Sequence, residues 1–287
     1  MKIVSFTLRD GNKYVGSIDG QEFAIGRRVS FEGNKGLMNI SGTAEQRYQR
    51  DEYRPLYGLW ADLIHPTAVV EGALYHTLNT YDRAHFTFTF LQFAAHVPEG
   101  DFVQFFRALL KLPQAEDYFP DLQLKDGRIC RISEHGLQAL ESSSSTEALM
   151  RYLNPSTAQV EDTEVIQAAR FIHWSQNDLA HRQTQIEVGI RFFKEKMARY
   201  AQQYRLDGAA DSICLVVADI RHQGRARSPE IASALASAEP LRALLKIGES
   251  RYPQRVGDLR REVEKLTAEG TLGEHVYSRE LGDFVPR

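Results

Sequence analysis

Residues 81–92 read Tyr-Asp-Arg-Ala-His-Phe-Thr-Phe-Thr-Phe-Leu-Gln. Phe86, Phe88 and Phe90 alternate with Thr87 and Thr89, so in an extended chain the three rings fall on one face and the two hydroxyls on the other. Aromatic and β-branched residues suit a pleated, half-buried surface, and the alternation predicts a short strand buried on its aromatic side. Asp82 stands just ahead of that strand, which leaves Asp82, Thr87 and Gln92 available to a cleft. Far upstream, Ser30-Phe31-Glu32-Gly33 offers a second carboxylate, with an aromatic residue before it and Gly33, Asn34 and Gly36 as a flexible break after it.

Working outward, residues 1–29 are β-rich. Val4, Phe6 and Leu8 alternate with polar neighbours, and Asp10-Gly11 and Asp19-Gly20 are turn signals, which together predict a small hairpin or meander. Residues 54–80 carry a helical pattern through Leu56, Leu59, Trp60, Leu63, Val69, Val70, Ala73, Leu74 and Leu78, with Pro66 expected to split or kink it. An amphipathic helix is predicted from Asp101 through Phe102, Phe105, Phe106, Leu109 and Leu110, stopped by Pro113. A loop and hairpin around Asp126-Gly127 follow, then a helix-like piece over 136–153 interrupted by Ser142 to Ser145. Helices are predicted over 163–175 and 178–204, the second with Ile186, Ile190, Phe193, Met197 and Tyr200 stepping by four and three. Residues 211–220 are apolar enough for a buried strand or a buried helix, and helices over 229–247 and 254–267 complete the chain.

Composition narrows the functional classes. With 287 residues and 43% hydrophobic side chains the chain can build a sizeable core. A net charge of −3 lacks the basic field that displaces counterions from nucleic acid, and fits a neutral or cationic glycan better. Cys130 and Cys214 are too few for a disulfide framework and read as reduced and structural. No apolar run reaches signal-peptide or membrane-spanning length. Nine histidines include no metal-ligand spacing, and there is no phosphate loop, dinucleotide fingerprint or nucleophile elbow, so neither a metal nor a cofactor is expected.

The spacing Asp-x-x-x-x-Thr-x-x-x-Leu-Gln, preceded by Phe-Glu-Gly, resembles the lysozyme-like superfamily, in which a catalytic Glu at a helix end is followed by a β-hairpin carrying a second acid. Asp82, Thr87, Phe88, Leu91 and Gln92 fall on matching positions, whereas Arg83, His85 and Thr89 stand where such enzymes carry small residues. The match is closest to phage-type peptidoglycan hydrolases and chitosanases, and Asp219 to Gly224 resembles a chitosanase helix end. The resemblance implies a mainly α (α+β) fold: a lysozyme-like, two-lobed helical domain over 30–287 with a small β-hairpin at the cleft, and residues 1–29 as a β-rich extension. It implies hydrolysis of β-1,4 linkages in peptidoglycan, with chitosan as the alternative substrate and a catalytically inactive glycan-binding module as the alternative class. Glu32 is then the expected general acid, walled by Phe31, and Asp82 the base or charge stabiliser facing it across the cleft. Tyr81, Arg83, Thr87 and Gln92 are the expected substrate contacts. Glu71, among Val69, Val70 and Leu74, is the competing acid. Partners implied are the glycan, an immunity protein or delivery machinery. The implied route is cytoplasmic synthesis without a signal peptide, then action in the periplasm or cell wall after delivery by a holin or a secretion system.

Overall fold

The computed structural model describes residues 1–39 and 45–287. In chain order the elements are β1 (Ser5–Arg9), β2 (Lys13–Ile18), β3 (Gln21–Phe31), β4 (Asn34–Met38), α1 (Arg50–Tyr57), α2 (Leu59–Val70), β5 (Leu78–Asn79), β6 (Thr87–Phe88) and β7 (Phe93–Ala94). Then come α3 (Asp101–Leu109), α4 (Ala115–Tyr118), β8 (Leu122–Lys125), β9 (Arg128–Ser133), β10 (Gly136–Ala139), α5 (Glu147–Leu153), α6 (Asp162–Asn177), α7 (Leu179–Tyr204) and α8 (Asp211–Gln223). The chain closes with α9 (Ser228–Leu235), α10 (Pro240–Leu244), α11 (Pro253–Ala268), β11 (His275–Ser278) and β12 (Asp283–Pro286). Helix takes 44% of the chain and strand 21%, a mixed α/β protein in which helix predominates. Among the described residues no helix is long and apolar enough to cross a membrane.

Two compact units divide the chain: Met1–Arg47 with Ala73–Gly189, and Tyr48–Gly72 with Ile190–Arg287. The first is built on a seven-stranded sheet in sequential order β1 to β7, every pairing antiparallel. The boundary expected at residue 29 falls inside β3, and the N-terminal strands continue into the sheet that carries the 81–92 stretch. The two turn signals hold their positions: Asp10, Gly11, Asp19 and Gly20 all have positive φ, which hairpin turns between right-twisted strands require.

Within this unit the core is aromatic. Phe86, Phe88, Phe90, Phe102, Phe105, Phe106 and Phe119 are fully buried, and the Phe171 ring of α6 lies 5.0 to 6.4 Å from the rings of Phe86, Phe88, Phe102, Phe105, Phe106 and Phe119. The α3 stripe of Phe102, Phe105, Phe106 and Leu109 is the predicted amphipathic face. Burial among these rings pushes the His181 imidazole down to about 3, so it packs there as a neutral ring.

The 86–90 stretch departs from its prediction. Only Thr87 and Phe88 are strand, and the expected wet face is covered: Thr87 is 5% exposed and Thr89 0%. Thr89 has φ +88, and its hydroxyl accepts from the backbone N–H of Leu91 (3.3 Å) and Phe93 (3.5 Å), turning the chain back into β7. Residues 136–139, expected to be helical, form β10 and pair with β9, and α5 takes up the remainder of that stretch.

In the second unit the helix break falls at Gly58, whose φ of +55 suits a residue without Cβ, and Pro66 is carried inside α2. Beyond Val70 the helical pattern expected as far as Leu78 is not realised. Gly72 (φ +92) and Ala73 (φ +58) turn the chain out of α2, so Glu71 is its last cap. Residues 211–220 are helix α8, closed by Gly224 in the left-handed conformation with its N–H donating to the Ile220 carbonyl. α8 packs against α2 and α10, and α11 against α2. Cys214, Val216, Val217, Ile220, Val256, Leu259 and Leu266 are buried there. The β11–β12 hairpin has no counterpart in the sequence prediction; Phe284 packs edge-on to Trp60, whose indole N–H donates to Asp283 at 2.7 Å.

Candidate functional site

Asp82 lies in the connection between β5 and β6, and its carboxylate is fixed by short-range bonds. Oδ1 accepts from the Ala84 N–H at 2.9 Å and Oδ2 from the Asn79 side-chain amide at 3.2 Å, while the His85 N–H donates to the Asp82 carbonyl at 3.0 Å. Asn79 also accepts from the Tyr81 N–H at 3.2 Å. Both ends of the loop are held from outside it. Asn154, fully buried, donates through Nδ2 to the carbonyls of Thr80 (2.9 Å) and His85 (3.0 Å), and its own carbonyl lies 3.2 Å from His85 Nδ1. These bonds leave the Asp82 carboxylate one orientation and keep it half-exposed.

Beneath the loop, Thr80 ties the sheet to α6. Its Oγ1 accepts from the Leu37 N–H at 2.6 Å, and its hydroxyl donates in a short bond to Glu164. Gly36 faces this point, and a Cβ there would lie 2.6 Å from Thr80 Oγ1 and 2.7 Å from the Tyr81 nitrogen, so only glycine fits. Burial pushes the Glu164 carboxyl up to about 7, against the pull of its Thr80 bond. An acid whose folded pKa lies above its unfolded 4.5 favours folding fully below pH 4.5, and that contribution is lost as pH rises through about 7. Its magnitude is roughly 3 kcal/mol. The expected result is a thermal midpoint that falls from pH 5 to pH 8 in the wild type, with that slope flattened in Glu164→Gln; equal slopes in the two proteins would refute it.

The other expected contacts are distributed unevenly. Tyr81 is half-buried, its ring 6.2 Å from Phe31, and burial raises its hydroxyl pKa. Arg83 is exposed. His96, passed over in the sequence, stands by the same loop: burial and then the Arg83 charge hold its imidazole below the usual range, against Asp82 and Asp101. Gln92 is half-buried with φ +53. Thr87 is buried between Asn79 and Ala94 in the sheet and does not line a cleft.

Glu32 occupies the β3–β4 turn with φ +49 and is exposed, and Phe31 before it is 54% exposed. The Phe31–Tyr81 contact and the Thr80 N–H bond to the Leu37 carbonyl bring its hairpin alongside the Asp82 loop. Phe31, expected to wall the carboxyl, meets water instead.

Glu71, in the second unit, has different surroundings. It caps α2 with its side chain 16% exposed, and Arg255 holds its Oε1 through Nη2 (2.7 Å) and Nε (3.2 Å). Arg255 is anchored in turn by Asp219 (both contacts 3.1 Å), and Asp219 is buried with Arg225 and accepts from the Thr67 hydroxyl at 3.0 Å. Burial pushes the Asp219 carboxyl up, but Arg225 and Arg255 outweigh it and hold it below its ordinary 3.8. The 219–224 segment was visible in the sequence; its partners, 36 residues away at Arg255 and 152 away at Thr67, were not.

Among the described residues no group of three or more His, Cys, Asp or Glu side chains is placed to hold a metal ion. Comparison with protein-family models, with curated proteins and with solved structures gives no match.

Proposed function

We propose that the chain is a glycoside hydrolase of the lysozyme-like type, cleaving β-1,4 linkages of peptidoglycan, with Glu32 and Asp82 as its carboxylates. The observation that supports this reading is that both lie in the first unit, where the Phe31–Tyr81 contact and the Thr80 N–H bond to the Leu37 carbonyl hold the Glu32 hairpin beside the Asp82 loop. The lysozyme-like resemblance implies a glutamate at a helix end, and here Glu32 stands in a hairpin turn instead. Glu32 is the general acid that protonates the leaving oxygen.

Asp82, pinned by Ala84 and Asn79, serves as the base that activates water or as the negative charge that stabilises the oxocarbenium-like state. A carboxylate already held in one orientation loses little freedom on substrate binding, so it stabilises charge without reorganising. Tyr81 and Arg83 beside it offer a ring edge and a cation to the sugar.

The test is incubation with purified peptidoglycan sacculi and, separately, with chitosan, followed by mass analysis of the products. Soluble disaccharide-peptides from sacculi are expected. Release from chitosan alone would move the substrate to the alternative polymer, and binding of sacculi with no cleavage of either polymer would leave a glycan-binding module.

A further inference from the structure

The first unit holds a cavity of about 490 Å³ lined by Arg131, Arg151 and Arg170 with a single acid, Asp121, among the lining residues. Pro155, directly after the Asn154 that clamps the Asp82 loop, is part of its wall, so cavity and loop adjoin in one unit. Asp121 is shared: one oxygen accepts from the Tyr152 hydroxyl at 2.9 Å and the other lies 3.4 Å from Arg131 Nε. Among the described residues Arg151 pairs with Glu147 at its exposed edge, where both side chains are more than 60% accessible. Such exposed pairs contribute little and exchange readily for another anion.

Arg170 is the decisive residue. Its guanidinium packs 5.7 Å from the Phe119 ring and Nη1 donates to Gln167 at 3.3 Å, but Nε is buried without an acceptor and no carboxylate pairs with it among the described residues. A buried guanidinium N–H left unmatched is costly, and a planar oxyanion entering the cavity would satisfy it.

We propose that this cavity is a carboxylate-binding subsite that takes the acidic stem peptide of the glycan strand. The inference rests on the hydrolase reading for the identity of its ligand. Three arginines against one shared aspartate repel a polycationic polymer such as chitosan and offer a neutral glycan hydrogen bonds but no opposite charge. A wall peptide carries free carboxylates, whose planar oxygens match the guanidinium fork.

The probe is the synthetic peptide acetyl-L-Ala-γ-D-Glu-L-Lys-D-Ala, labelled for fluorescence anisotropy, against the same peptide with every carboxylate amidated. The unmodified chain serves as receptor, since the peptide holds no glycosidic bond for it to cleave. The free-acid peptide is expected to bind and the amidated one not. Arg131→Gln and Arg151→Gln, at exposed positions, are each expected to weaken binding about tenfold with unchanged thermal midpoints. Arg170→Lys, which keeps the charge and loses the fork, is expected to weaken it as well. Equal binding of the two peptides, no binding of the free acid, or binding indifferent to all three substitutions would overturn the proposal. Peptide binding without cleavage of sacculi would defeat the hydrolase reading alone, and cleavage without peptide binding would defeat this inference alone.

Discussion

Glu32→Gln is expected to reduce cleavage of peptidoglycan by about 10²- to 10⁴-fold, the usual worth of a positioned general acid. The amide keeps the shape of the carboxyl at an exposed turn position, so the fold and glycan binding are expected to survive. Circular dichroism and a sacculus-binding assay check that the loss is chemical. Because an acid must carry its proton into the reaction, the alkaline limb of the pH–rate profile is expected to vanish with it. Glu71→Gln is the control: its carboxyl is paired with Arg255 in the second unit, and activity is expected to be unchanged. If Glu71→Gln abolished cleavage and Glu32→Gln did not, the acid would be Glu71, and the present assignment would be wrong. Asp82→Asn is expected to be as damaging as Glu32→Gln, since the amide oxygen still accepts from the Ala84 N–H while the charge and the bond from the Asn79 amide are lost.

Asp219→Ala is expected to cost about 3–5 kcal/mol of stability. Asp219 and Arg225 have side chains with no solvent exposure, and Arg255 is 12% exposed. Removing the carboxylate leaves the Arg225 charge buried with no opposite charge in contact, and it withdraws one of the two anchors of Arg255. Urea titration followed by the shift in midpoint would measure the loss, and a change below about 1 kcal/mol would show that the network adds nothing. The pH dependence has the opposite sign to that of Glu164. A carboxyl held below its ordinary 3.8 favours folding above that value and ceases to do so as pH falls through its lower folded pKa, so the second unit is expected to unfold in acid. A joint replacement of Asp219 and Arg225 by apolar residues of similar volume is expected to recover most of the loss, because the penalty lies in the unpaired charge.

Periodicity and turn chemistry alone determined much of the fold. The α3 stripe, the long apolar face of α7, the Asp10-Gly11 and Asp19-Gly20 turns and the Asp126-Gly127 hairpin were legible because each depends on neighbours within one or two turns of chain. Local signals also placed Asp82 ahead of a strand. What the tertiary structure decided is where several surfaces compete for one segment. Alternation over 86–90 promised a strand with one wet face, but rings from α3 and α6 pack on the aromatic side and Thr87 and Thr89 are buried as well, so neither face is wet. Pro66 looked like a break and Gly58 did not, since the cost of a lost backbone bond inside a buried helix depends on what packs around it. Glu32 and Glu71 were both carboxylates beside apolar residues in the sequence; only the fold shows that Phe31 turns to solvent, while Glu71 ends a helix and meets Arg255 from 184 residues away. Burial and long-range charge pairing, which set what a carboxyl can do, are properties of the surroundings, and the surroundings are assembled from residues that the chain holds far apart.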